Sequence, residues 1–217
     1  MLFRSVRRKL KVGGVLYISY NTLPGWGAFA PMRHLMTQHA EVVGADGAGI
    51  VSRINGAIDF TEKLLAVNPA YARANPQIKD RMEKLKGHNR HYLAHEYFNA
   101  DWTPMYFSEM NKWLSAAKLN YACSASLLDS VEALNLTKDQ SEFLKTITDV
   151  TFRETTRDFL LNQQFRKDYW VKGRRKIDPI AQSLALKSIR LVLLAPADSI
   201  SLKVSTLVGV ASLNRSE

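Results

Sequence analysis

Gly13-Gly14 and Pro24-Gly25 bracket the stretch Val15-Leu16-Tyr17-Ile18-Ser19-Tyr20, a short apolar run rich in β-formers. A run of this kind predicts a strand buried on both faces, as in a parallel sheet. Before it, Phe3, Val6 and Leu10 recur at helical spacing until the glycine pair ends the helix. Helix, glycine turn, buried strand and turn make half of a parallel α/β unit. A parallel strand needs a neighbour on each side, and no strand-like run precedes this one, so the expectation is a chain that begins within a domain.

Beyond Trp26 helical periodicity dominates. Phe29, Met32 and Met36 form one stripe, and Ile50, Ile54, Ile58 and Leu65 a clearer one. Asn75 and Pro76 suit the N-cap and first position of a third helix, which runs through Ile78, Met82 and Leu85 towards Tyr97. Ser108 is placed to cap a short helix bearing Met110, Leu114 and Ala117. Leu119, Tyr121 and Cys123 then alternate with Asn120, Ala122 and Ser124, which predicts a half-buried strand with Cys123 packed inward. Thr137 with Gln140 makes a capping box, and helical character persists to about Leu161. Phe165 to Lys172 alternates again, as a second strand of the same sheet. Beyond Pro179 come a helix and a weak alternation at Ile200, Leu202 and Val204.

Three blocks in this order carry a resemblance. Gly13 to Trp26 contains a glycine pair, a strand and a Ser19-Tyr20-Asn21…Pro24-Gly25-Trp26 turn. Tyr92-Leu93-Ala94-His95-Glu96-Tyr97-Phe98-Asn99 is followed by Trp102, Pro104 and Tyr106-Phe107. Arg157-Asp158-Phe159-Leu160-Leu161-Asn162 leads into Phe165-Arg166-Lys167-Asp168. Together they resemble the C-terminal portion of class I S-adenosylmethionine-dependent methyltransferases that carry a methyltransferase regulatory domain. The resemblance implies an α/β, helix-dominated fold: the C-terminal edge of a Rossmann-like methyltransferase sheet with two helical insertions. Such a sheet ends in a fifth parallel strand, a helix, a sixth strand and an antiparallel seventh. Val15 to Tyr20, Met110 to Ala117, Leu119 to Ser124 and Phe165 to Lys172 fit those slots. The implied organisation is the end of the methyltransferase core over 1–25, a helical cap over 26–99, the regulatory region over 88–175 and the start of an extension over 176–217.

The family binds S-adenosyl-L-methionine with a glycine-rich turn after its first strand and an acidic residue ending its second, and this chain matches neither. Gly44 to Gly49 has the glycines, but only Val42-Val43 precedes it where such a loop needs a strand. It reads as a turn between cap helices. The expectation is therefore a bacterial, methyltransferase-type chain that binds no cofactor alone and carries no catalytic residue of its own. Its partner would be the missing N-terminal methyltransferase half or a second copy, with a protein as methyl acceptor, since some relatives modify protein lysines.

Candidate site residues are chosen by where ligands sit in α/β sheets, at the carboxyl ends of strands. Tyr20 and Asn21 occupy such an end and are candidates for contact with substrate. Tyr92, His95, Glu96 and Tyr97 offer aromatic faces for a cation and a His-Glu pair for proton handling. The bland readings are that Asn21 only makes the turn, that Tyr20 packs, and that His95 and Glu96 form a hinge. His88, His91 and His95 share helical spacing, but the His-Glu-x-x-His pattern is broken at Asn99, so no metal site is expected.

The formal net charge of +10 favours anionic partners without specifying a fold. Arg166, Lys167, Lys172, Arg174, Arg175 and Lys176 interleave with Tyr169 and Trp170, a pattern able to bind single-stranded nucleic acid. It equally suits a strand with a solvated turn, and nucleic acid is not the expected partner. The other rival is a helical interaction module associating through Ile50, Ile54 and Ile58. A lone cysteine excludes an internal disulfide and suits the cytoplasm, and no stretch is apolar enough to span a membrane.

Overall fold

The computed structural model describes residues 2–44, 47–174, 177–206 and 208–213. Ala45 and Asp46 of the glycine turn, and Arg175 and Lys176 of the basic run, lie outside the described residues, as does the side chain of Phe3. The chain divides into two compact units, Met1–Tyr20 with Met105–Glu217, and Asn21–Pro104.

In the first unit α1 (Leu2–Lys9) leads through the glycine pair into β1 (Val15–Asn21). Gly13 takes φ 79°, open to glycine at little cost. A Cβ on Gly14 would stand 2.8 Å from the Lys11 carbonyl oxygen. The pair also starts the sheet: the Gly13 N–H donates to the Lys172 carbonyl at 2.8 Å, and the Lys172 N–H to that of Gly14 at 3.0 Å. The expectation that β1 is buried on both faces is corrected. Leu16 and Ile18 pack inward, but Val15 is 57% and Tyr17 51% exposed. The physical reason is that, among the described residues, β1 has one strand beside it and a core on one side only.

The second unit is helical: α2 (Ala30–Val42), α3 (Ile50–Ala66), α4 (Ala70–Ala74), α5 (Gln77–Lys86) and α6 (Arg90–Glu96). Its core joins Phe29, Met32 and Met36 to Ile54, Ile58 and Leu65, and both stripes to Ile78, Met82, Leu85 and Leu93. Because Ile54 and Ile58 are buried here, the proposed self-association face through them is not available. The expected third helix is interrupted. Gly87 ends α5, and Asn89 caps α6 by accepting from the His91 N–H at 2.8 Å. Asn75 does not act as an N-cap: its side chain donates to the Tyr71 carbonyl at 3.0 Å, and Pro76 holds the cap position.

Returning to the first unit, α7 (Phe107–Ala116) begins one residue before Ser108, with Tyr106 at the cap position and its N–H bonded to Glu109 at 3.0 Å. Then come β2 (Leu119–Ser124), a 3-10 turn (Leu127–Ser130), α8 (Glu132–Asn135), α9 (Lys138–Lys145), α10 (Val150–Leu161) and β3 (Phe165–Lys172). The Thr137/Gln140 capping box forms at the start of α9. β2 pairs antiparallel with β3, and the sheet order is β1-β3-β2. These three strands therefore form a small sheet containing an antiparallel pair rather than a resolved parallel Rossmann sheet. A register shift between Tyr121 and Cys123 turns the strand, so Cys123 is exposed and not packed inward as its alternation predicts.

After β3, α11 (Pro179–Lys187) leads to a hairpin of β4 (Lys203–Thr206) and β5 (Gly209–Ser212). No helix among the described residues is long and apolar enough to cross a membrane.

Candidate functional site

The six residues singled out from sequence are spread over both units. Tyr20 belongs to the first and is 9% exposed; its hydroxyl donates to Asp168 Oδ2 at 2.8 Å. Asn21 and Tyr97 belong to the second and converge on Trp26. Trp26 Nε1 donates to Asn21 Oδ1 at 3.1 Å, and the Tyr97 ring meets the indole edge-on at 5.5 Å. Tyr92, His95 and Glu96 sit on α6 with their side chains exposed, and Tyr92 is tilted against His88 at 5.0 Å. His88 precedes α6, so the three histidines do not share one helix. Among the described residues no group of three His, Cys, Asp or Glu is placed to hold a metal ion.

Trp26 is the hub of an aromatic and cationic layer. Trp102 stands edge-on to it at 4.9 Å and Phe29 lies 6.1 Å away. The Arg81 guanidinium lies 4.0 Å over the indole, and that of Arg33 lies 4.3 Å over Trp102. Arg33 also donates to the Asn99 carbonyl at 2.5 Å, and burial lowers its pKa. Cations over ring faces contribute roughly 0.5–2 kcal/mol each, more when desolvated.

The first unit buries a charged cluster around Arg166, Asp158 and Asp168. Asn162 ends α10 in the left-handed conformation, φ 46° and ψ 48°, and the Gln163 N–H donates to the Asp158 carbonyl at 2.9 Å. This turn lays β3 beside the end of α10. Along β3 the inward positions are Arg166, Asp168 and Trp170. Arg166 donates from Nε to Asp168 at 2.9 Å and from Nη1 to Asp158 at 2.6 Å. Its Nη2 reaches Glu154 at 3.0 Å and the Tyr121 hydroxyl at 3.2 Å. The guanidinium also lies 4.4 Å over the Phe107 ring. With Tyr20 on Asp168, the network ties together β1, β2, β3, α7 and α10.

One cation faces three carboxylates here. Burial pushes the Asp158 carboxyl up to about 7 against the pull of Arg166. The same burial raises Asp168, against Arg166 and the Tyr20 hydrogen bond. Burial alone lowers Arg166, but Asp158 and Asp168 outweigh it and the net direction is up. Burial first, then Asp168, raises the Tyr20 hydroxyl far above its ordinary range, so Tyr20 acts as a neutral donor.

This geometry favours the strand reading of the basic run over the single-strand-binding one at Arg166, Trp170 and Lys172. Arg166 and Trp170 are buried, and Lys172 Nζ donates to the Arg7 and Leu10 carbonyls at the end of α1. The pairing of aromatic and basic residues needed to bind single strands is therefore lost at those positions. Two signals could have located the network: Glu154 and Asp158 stand one turn apart on α10, and Arg166 and Asp168 share β3's inward face with a tryptophan.

Comparison with known proteins gives this arrangement a context. Residues 89–172 match the family described as predicted methyltransferase regulatory domain. The Synechocystis protein sll1526 is 47% identical over 208 residues, covering 96% of this chain and 40% of the relative. The Rickettsia prowazekii protein RP789 is 27% identical over 169 residues, covering 76% of this chain and 29% of the relative. Among solved structures, PKMT2 from Rickettsia typhi superposes with a TM-score of 0.61 at 22% identity, over 94% of this chain and 39% of that one. PKMT2 from the same organism in complex with AdoHcy gives 0.62 at 22% identity, over 100% and 42%. The chain thus spans at most about two fifths of the length of these proteins.

Proposed function

We propose that this chain, which has a C-terminal methyltransferase-regulatory-domain-like fold related to that of PKMT2, is the terminal and regulatory part of an S-adenosylmethionine-dependent methyltransferase. One observation carries the reading. β1, α7, β2 and an antiparallel β3 succeed one another in the order that the end of a class I sheet requires, and the family match spans α6 to β3. The half-exposed Val15 and Tyr17 support it, because an apolar strand face left open suits covering by a packing layer from the rest of a longer protein. In this reading 1–25 ends the core, 26–99 is the cap, 88–175 the regulatory region and 176–217 an extension.

Methyl transfer to an amine is an in-line displacement in which alignment can supply about 7–11 kcal/mol of the barrier. The amine must be neutral, so carbonyl and carboxyl acceptors around it matter. Asn21 stands at the carboxyl end of β1, and its amide is held by Trp26. Tyr92, His95, Glu96 and Tyr97 would line the acceptor side, with exposed His95 and Glu96 available for proton handling. Tyr20 would act through Asp168, positioning the strand end rather than meeting the acceptor. The methyl donor would be bound by sequence belonging to the rest of the longer protein. A protein lysine is the acceptor class that the sequence resemblance implies, and a cytoplasmic setting suits the exposed Cys123 thiol.

Calorimetric titration with S-adenosylhomocysteine tests the proposal. The chain alone should give no binding heat, and the chain continuous with the remaining length of its relatives should bind. Methyl transfer from tritiated donor by the chain alone would overturn it.

A further inference from the structure

The first unit contains a cavity of about 450 Å³ between β2, the turn after it, and the helices α8 to α10. Its size falls in the range of small-ligand sites. Part of the wall is apolar, from Tyr121, Ala122, Leu144 and Val150. The remainder is polar or charged, and each carboxylate among it has a hydrogen-bond partner. Asp129 accepts from the Ser124 hydroxyl at 2.7 Å, and Glu132 from the Ser141 hydroxyl at 2.6 Å. Glu154 belongs to Arg166 at 3.0 Å, and Lys145 to Glu142 at 2.9 Å.

The guanidiniums are less committed. Arg153 and Arg157 stand one turn apart on α10 and both line the cavity, as does Arg174 just beyond the end of β3. Arg157 donates one Nη to the Asp129 carbonyl at 2.6 Å and retains its other donors. Arg153 and Arg174 make no ion pair among the described residues. We propose that this cavity binds a small organic anion, a phosphate or carboxylate held by Arg153, Arg157 and Arg174, with Tyr121 and Val150 flanking the rest of the molecule. Planar forked donors are the usual partners of both anion types, and their attraction strengthens in a partly enclosed site. The ligand would be an effector rather than a reactant, since the hydroxyls of Ser124 and Ser130 and the carboxylates of the wall are bonded to one another or to neighbouring groups. This inference is independent of the methyltransferase reading, since every residue it uses lies in the chain itself.

The cavity also contains its own reporter, because Cys123 lines it and is exposed. The test titrates the 217-residue chain with adenosine monophosphate, citrate and adenosine, following both binding heat and the rate of Cys123 alkylation by iodoacetamide. Adenosine monophosphate or citrate is expected to bind and to slow alkylation, and which of them does so separates phosphate from carboxylate. Adenosine should do neither. In the double variant R153Q/R174Q the affinity should fall tenfold or more. Its thermal midpoint should stay put, because neither side chain supports the fold through an ion pair. No binding by either anion up to about 1 mM, the weak end of specific association, would overturn the proposal. So would adenosine binding as tightly as its phosphate, or affinity unchanged in the double variant. Alkylation protection in the unmodified chain remains a readout if the variant does not fold.

Discussion

Arg166 Nη1 stands 2.6 Å from Asp158 Oδ1, and the two side chains are only 5% and 1% exposed. Removing one partner of such a pair leaves the other charge buried without compensation, a loss of about 3–5 kcal/mol. Here Arg166 also serves Asp168 and Glu154, so its removal strands three carboxylates at once. R166A should therefore destabilise the first unit at the upper end of that range, read as a fall in the urea midpoint. The double variant R166M/D158L should recover part of the loss, because an apolar pair of similar volume needs no compensation. A single variant R166A as stable as the parent would show that the pair contributes nothing.

The same cluster sets a pH dependence of unusual sign. Asp158 is pushed up to about 7 by burial, whereas in an unfolded chain an aspartate titrates at about 3.9. Between those values the native state keeps a proton that the unfolded state has released. Stability from this group is thus fully present below the unfolded value and is lost as pH rises towards neutrality. Asp168 is shifted in the same direction and adds to the slope. Urea midpoints should fall as pH is raised from about 4 to about 7, and the slope should be shallower in D158N, which lacks the titrating proton. A midpoint that rises over this range with the same slope in D158N would contradict the assignment.

Much of the first unit is legible from local pattern. The alternations at Leu119 to Ser124 and Phe165 to Lys172, and the Thr137/Gln140 box, each concern neighbours within a few residues, and each element forms. The features that escape a sequence reading depend on distant partners. Arg166 reads as one member of a basic run on an alternating strand, and its partners appear only when the left-handed turn at Asn162 brings Asp158 and Glu154 to it and Tyr20, far away in sequence, reaches Asp168. The alternation misplaces Cys123 because one register shift reverses the strand's faces. The exposed side of β1 shows the reverse limit. An apolar run tells that both faces suit burial, and not which of them this chain covers.

That open face gives a third prediction. Tyr17 is 51% exposed and touches the Tyr169 ring at 5.8 Å between centroids. Substituting it by lysine removes apolar surface from an edge strand, where charge discourages pairing between chains. In the chain alone Y17K should reduce self-association in sedimentation experiments and change stability by no more than about 0.5 kcal/mol, as for most surface substitutions. In a protein with the full length of its relatives the same change should be destabilising, because the lysine would be buried under the layer that covers this face. Equal tolerance in both settings would remove the support that this face lends to the proposed function.

Asn21 and Trp26 separate a packing role from a functional one. Trp26 is 6% exposed and carries Tyr97, Trp102, Phe29 and Arg81 around it, so W26A should cost about 3–5 kcal/mol through the cavity it leaves. Asn21 contributes one side-chain hydrogen bond to that layer, at 3.1 Å, and N21A should cost only about 1 kcal/mol. If Asn21 merely shapes the turn, methyl transfer by the full-length protein should follow stability and hardly change. If it orients the acceptor amine, kcat should fall at least tenfold, about 1.4 kcal/mol in the barrier, while the urea midpoint of N21A stays close to that of the parent. Measuring kcat, KM and the midpoint on the same preparation distinguishes the two, and the proposed placement of the acceptor beside β1 predicts the second result.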